Sequence, residues 1–396
     1  MRHPWSGLKE IPRNIWILAA ASLINRSGTM VLPFMSLYAV TELKVSAGNA
    51  GLVLAAYGMG AFVSAPFTGK LSDRFGSVRL MTISLFAAGI FLIGYSFVTN
   101  FYIFLLMSFF WAIIAEAFRP ASMSFVSTEA PADRRKTAFA LYRLALNLGM
   151  SVGPLIGGLL STINFHLLFY VDGITSIAAA IFLLFSHLNE TTVKSSLSKE
   201  DDKAPGEDFY KSTSVFKNRK FVFLLLAIIP VVIVFFQFIG AMPLFIVDEL
   251  GFSRATFGIM ISINTLLIIF IEVPLNDAMR NWADWKALML GALFSGFGFG
   301  LLSVFHTIYG IIISIVFWTF GEMIFFPAAN DYVSEISPEK RRGEYMGYFQ
   351  MTFSFAFIIG PWMGTEVLEN FGSFTLWVGC LVFGLISALM MLNLKD

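Results

Sequence analysis

What most constrains this chain is that it repeats itself. The stretch 115–158, AEAFRPASMSFVSTEAPADRRKTAFALYRLALNLGMSVGPLIGG, returns at 322–364 as EMIFFPAANDYVSEISPEKRRGEYMGYFQMTFSFAFIIGPWMG. Pro120, Pro131, Arg134 and Gly153 reappear as Pro327, Pro338, Arg341 and Gly360, all at one offset of 207 residues. Four landmarks at a single offset mean two copies of one unit, and such self-similarity is settled before any local element.

Each copy must be a membrane unit. Of the 396 residues 57% are apolar and 13% charged, against about 45–50% and about 25% in a soluble domain. A helix crosses about 30 Å of hydrocarbon with about 20 residues. The chain offers twelve such segments, near 14–40, 47–71, 79–99, 101–127, 138–162, 165–187, 220–247, 254–276, 286–306, 308–333, 344–367 and 372–393. Helix is the state expected for all of them, because lipid leaves no backbone group to water and barrel strands are shorter and alternate. The expected fold is an all-α membrane protein of twelve helices in two six-helix bundles, at 1–188 and 220–396. The polar stretch 189–219 lacks a core-forming pattern and reads as a linker.

Net charge is +1, so only the position of charges informs. Of 27 Lys and Arg, Lys44 and Arg254 fall in loops on the side opposite the termini, Arg26, Arg119 and Arg143 lie inside spans, and the rest share one side. The positive-inside rule makes that side, with both termini and the linker, cytoplasmic, and the membrane a plasma or inner membrane. Asn189-Glu190-Thr191 matches a glycosylation sequon that this placement leaves unused. The single cysteine, Cys380, excludes an internal disulfide and disfavours a thiolate metal site; no metal is expected.

Charges at mid-span depth are the candidate functional residues, because an ion in hydrocarbon must face protein or water. Arg26, beside Asn25 in the first span, is either a ligand or half of a buried ion pair. Glu116 and Arg119 in the fourth stand three apart on one face, where they could neutralise each other; alternatively Glu116 carries a proton. Glu322 in the tenth has no neighbouring cation and is the leading proton site. Gln237 in the seventh span completes the mid-depth polar set; together with Arg143 and Asn147 of the fifth span it joins Asn25, Arg26 and Arg119 as a candidate substrate surface. Glu272 is expected near the cytoplasmic end, solvated at the interface, and Asp172 is expected to be shallow and structural. The 44 Phe are read as packing.

Two motifs carry a resemblance. Gly69-x-Leu71-x-Asp73-Arg74-x-Gly76, in a tight loop after the second span, is similar to the signature loop of the major facilitator superfamily, although its basic end is displaced to Arg79. Gly149-x3-Gly153-Pro154-x2-Gly157-Gly158 resembles the antiporter motif of that superfamily's drug:proton antiporters, and Gly360-Pro361 echoes it in the second half. Packing alone also explains a small-residue stripe with a proline kink. The resemblance implies that the first, fourth, seventh and tenth helices surround a central site. It also implies a cytoplasmic lock in which Asp73 meets the helix start near Gly343 and Arg74 meets Glu129 or Asp133.

The function so implied is proton-coupled secondary transport by alternating access, most like multidrug antiport of amphipathic or cationic compounds. Glu322 and Glu116 would take the proton. The alternative is proton symport of an anionic or zwitterionic nutrient, such as a peptide or organic acid, gripped by the arginines. A nucleotide-binding Gly-x4-Gly-Lys-Ser/Thr loop is missing, so the proton gradient rather than a cofactor is the expected energy source. The expected partners are a small substrate, protons and lipid, without nucleic acid, and one chain suffices. No clustered Ser/His/Asp set points to an enzyme.

Overall fold

The computed structural model describes residues 11–131, 135–186, 188, 215–279, 281–338 and 341–395, and among them there is no strand. Eleven helical runs are long and apolar enough to cross a membrane. The last, Arg342–Met391, has 50 residues and would reach about 75 Å at about 1.5 Å per residue, far beyond one hydrocarbon thickness. Gly372 divides it, with φ 80° and ψ 165°, a region open to glycine because it lacks Cβ. The chain therefore crosses twelve times.

The spans in order are α1 (Arg13–Thr41), α2 (Ala47–Phe75), α3 (Ser77–Tyr95), α4 (Phe101–Glu129), α5 (Arg135–Ile163), α6 (His166–Phe185), α7 (Arg219–Glu249), α8 (Arg254–Met279), α9 (Asp284–Ser303), α10 (Ile308–Ile336), α11 (342–371) and α12 (373–391). One boundary corrects the sequence expectation. Residues 69–75 are not a loop but the last turns of α2, and the reversal is confined to Gly76, at φ 85°. The side chains of Asp73 and Arg74, and all of Asp133, lie outside the described residues, so the expected lock there is not visible; Glu129 accepts a hydrogen bond from Asn14 Nδ2 at 2.9 Å.

Helices α1–α6 form one bundle and α7–α12 the other, joined where α2 packs on α11 and α5 on α8. These two contacts are copies of each other. A Cβ on Gly51 of α2 would meet the Pro361 carbonyl of α11, and a Cβ on Gly258 of α8 would meet the Pro154 carbonyl of α5. Gly51 and Gly258, like Pro154 and Pro361, are 207 apart, so the sequence repeat is a structural pseudo-symmetry.

Packing is uneven along the membrane normal. On the side opposite the termini one continuous core takes residues from both bundles, including Phe34 and Phe257, whose rings meet edge to face at 5.4 Å. Ser36 Oγ donates to the Ile239 carbonyl at 3.4 Å there, and Arg254 Nη1 donates to the Ser161 carbonyl at 2.7 Å. On the side of the termini the core splits into two, one drawn only from α1–α6 and the flanking Ile11, Ala130 and Leu188, the other only from α7–α12 and the flanking Val215 and Leu394. The bundles thus meet at one end and part at the other.

Candidate functional site

Three of the four helices carrying mid-span polar residues are broken at that depth. Helix α1 is interrupted between Ser27 and Val31, α4 at Glu116 and Ala117, and α7 by a 3-10 turn at Phe236–Phe238 and a turn before Ala241. Such breaks free backbone groups that lipid cannot satisfy, so they belong where protein or water can. At the break in α1, Asp172 of α6 accepts the backbone N–H groups of Met30 at 3.1 Å and Val31 at 3.2 Å. Its carboxyl oxygen caps the second half of α1, where orphan backbone donors gather. Asp172 is buried, 4% exposed, and because its partners lie at the mid-span break of α1 it is not as shallow as the sequence suggests. Gly28 permits the approach, since a Cβ there would collide with Thr175 of α6.

The glycines of α5 seat this broken helix. A Cβ on Gly149 would come within 2.5 Å of Arg26 Cβ, one on Gly153 within 2.5 Å of the Thr29 carbonyl, and one on Gly157 within 2.7 Å of Met30 Cβ. Gly158, turned to the other flank, faces the backbone of Arg254 and Gly258 on α8. In the second bundle Gly360 accepts Gln237 Nε2 at 2.8 Å, and Pro361 lies against Gly240.

Where the bundles part there is a cavity of about 660 Å³. Arg26, Glu116, Arg119, Arg143 and Asn147 line it from the first bundle, and Glu272, Glu322, Asn330 and Gln350 from the second. Phe235, Phe236, Phe326, Phe349 and Phe353 form much of the second bundle's wall, and Phe139 and Tyr142 face them. A pocket of about 70 Å³ adjoins it inside the first bundle, sharing Arg26 and Glu116 and adding Asn25, Tyr57, Trp111 and Asp172. That volume is room for about two waters, and the buried Trp111 Nε1 has no protein acceptor among the described residues.

The two central carboxylates are held alike. Glu116 accepts the Tyr57 hydroxyl at 2.7 Å; Glu322 accepts Asn264 Nδ2 at 2.8 Å, and Asn264 also donates to Thr319 Oγ1 at 3.0 Å. Tyr57 on α2 and Asn264 on α8 are again 207 residues apart. Neither carboxylate has a cation at ion-pair distance among the described residues. Glu116 and Arg119 therefore do not neutralise each other. The interruption at Glu116 and Ala117 removes the regular register that would stack them, and Tyr57 takes the carboxylate instead.

Several residues lie elsewhere than their depth suggests. Gln237 is 1% exposed and does not line the cavity; its amide bridges the carbonyls of Ile233 and Gly360, fastening α7 to α11. Asn25 reaches only the small pocket and donates to Ser176 Oγ at 3.0 Å. Glu272 is not a solvated interfacial group: it faces the large cavity and pairs with Arg143 Nη2 across the bundles at 2.5 Å. Nothing local in the sequence marks Tyr57 and Asn264, although the repeat offset relates them.

Comparison with known proteins agrees with this architecture. Residues 15–361 and 238–395 match the Major Facilitator Superfamily. The chain is 24% identical over 391 residues to a Na(+), Li(+), K(+)/H(+) antiporter of Planococcus maritimus, covering 89% of each. It is 25% identical over 338 residues to the class H tetracycline resistance protein of Pasteurella multocida, covering 84% of this chain and 82% of that protein. The fold superposes on the crystal structure of a point mutant of the nucleoside transporter NupG with a TM-score of 0.80 at 15% identity, covering 97% of this chain and 99% of that one. The chain belongs to the Major Facilitator Superfamily and is one of its membrane transporters.

Proposed function

We propose that the protein is a proton-coupled antiporter that exports small amphipathic or cationic compounds by alternating access. The observation that carries this reading is Glu322: a carboxylate in an aromatic-walled cavity, held by one neutral amide and by no cation among the described residues. An anion so placed is costly. It is relieved either by a proton or by a cationic cargo, and that choice between two ligands is what exchange requires. Glu116, held by the Tyr57 phenol, is the second proton site, and Arg26 and Arg119 set the field around it. Asn147 is a substrate contact. The antiporter relative supports the exchange mode and the tetracycline resistance protein supports an amphipathic cargo. The excess of Lys and Arg on the side of the termini supports reading that side as cytoplasmic, and the cavity then opens where an exporter loads. One chain forms the whole cavity, and a monomer in the plasma membrane is the working unit.

A second reading has its own observation. Arg26 and Arg119 line the same cavity without an ion pair among the described residues, as a site for an anionic or zwitterionic cargo taken up with protons would have them. Purified protein in liposomes loaded with a pH-sensitive dye separates the two. Export predicts proton movement opposite to that of an added lipophilic cation, abolished in Glu322→Gln. Proton movement only with peptides or organic acids, in the same direction and lost in Arg26→Ala, would replace export with uptake.

A further inference from the structure

Glu272 is the acidic group that the reading above leaves without a task. It lies on α8, half-buried in the cavity wall with its side chain 13% exposed, and it is bound not to its own bundle but to Arg143 of α5, whose side chain is 60% exposed. An arginine that far into open cavity has no need of a partner, because water solvates it. The carboxylate has the greater need, since it is the more deeply set of the two. Asn276, one turn further along α8, does not help it, because its Nδ2 is engaged by the backbone carbonyls of Glu272 and Met323 at 2.8 and 3.3 Å.

We propose that Arg143 is a tethered stand-in for cargo: in the unloaded transporter its guanidinium occupies the subsite on Glu272 that a substrate's cationic group takes when it binds. This rests on the cationic-cargo reading above. Three features of the cavity support it. Glu272 and Glu322 both lie on the second bundle's wall, which carries net negative charge while the facing wall, with Arg26, Arg119 and Arg143 against Glu116, is net positive. Five of the seven aromatic rings lining the cavity stand on the same wall as the two carboxylates, Phe326 and Phe353 meeting at 5.5 Å, and aromatic faces bind the same cations that carboxylates do. Finally, Arg143 reaches its partner from the other bundle, so its departure removes a link between bodies that must move apart or together. A cargo that takes Glu272 thereby loosens the bundles, and an empty carrier stays linked. Arg143 in this scheme is a competitor of substrate, not a substrate ligand.

The test is equilibrium binding to the purified full chain in detergent, with no gradient, of tetraphenylphosphonium and of tetraphenylborate, two ions of one shape and opposite charge. Arg143→Ala is expected to bind tetraphenylphosphonium about tenfold more tightly than the unaltered protein, the scale of a partly exposed ion pair removed from competition. Arg143→Lys, which keeps a tethered cation, stays within about twofold of the unaltered protein, and Glu272→Gln placed on Arg143→Ala removes the gain. Because Arg143 is mostly exposed, its truncation leaves no cavity in a core; monodisperse elution of each variant checks this. Weaker or unchanged tetraphenylphosphonium binding in Arg143→Ala overturns the proposal, as does no binding by either protein. A gain for both ions overturns it too, since that reports a wider cavity rather than a vacated counter-ion. The assay involves no proton flux, so proton antiport and the stand-in can fail separately.

Discussion

Buried carboxylates in this chain divide by what they touch. Asp172 accepts two backbone donors at a helix start, so its loss orphans both. Asp172→Ala is expected to lower the thermal midpoint of the purified protein, at a cost of about 1–2 kcal/mol. Asp172→Asn, which keeps an acceptor oxygen, is expected to lose less. Glu322 instead depends, among the described residues, on a single side-chain donor, Asn264. A hydrogen bond to a charged group is worth about 1.5–3 kcal/mol, so Asn264→Ala should slow proton-coupled flux about tenfold, measured in the dye-loaded liposomes, with Asn264→Ser recovering part of it. Sequence conveyed depth here but not direction. Rise per residue put Glu116, Glu322, Arg26 and Arg119 at mid-span, and all four line the cavity. Gln237 has the same depth yet turns into its own bundle, because a helix apolar on every face carries no stripe from which to read its rotation. The same lack of a stripe hides that Glu272 faces inward, and its nearness to the helix end suggests an interfacial group instead.

At the scale of elements, the small residues of α5 have their meaning from the helix opposite. The stripe at Gly149, Gly153 and Gly157 was legible as a close-packing face, but its partner, the break in α1, was not, since nothing local to α5 names it. The breaks themselves leave uneven traces: Gly28 sits at the one in α1, whereas Glu116 and Ala117 are no helix breakers. Gly258 supplies the test. Its Cβ would strike a backbone carbonyl of Pro154, which cannot rotate away as a side chain could. Gly258→Val should therefore wedge α5 from α8 and open the side away from the termini. In a Cys380→Ser background, Ser161→Cys, buried at 1% exposure, should react faster with an impermeant maleimide applied from that side. Gly347→Val, with nothing within 4 Å, should leave the rate unchanged.

Across the whole molecule, the repeat proved the most informative feature of the sequence. The offset of 207 joins the two inter-bundle contacts and also the two donors, Tyr57 and Asn264, that hold the central carboxylates. Twelve crossings and two bundles followed from it together with span length. How the bundles tilt did not, because the apolar spans that share a core at one end and divide it at the other carry no local pattern that says which end is closed. The proposed alternating access needs a second packing of this kind, with one cavity exposed to each side in turn. Spin labels test it most directly, placed in the Cys380→Ser background at two pairs of exposed positions. Ile163 and Tyr309 report the side away from the termini, and Phe75 and Trp282 the side of the termini. On titrating tetraphenylphosphonium or changing pH, the account predicts that the distance across the first pair lengthens as that across the second shortens. Two distances that stay fixed, or that change in the same sense, would contradict it.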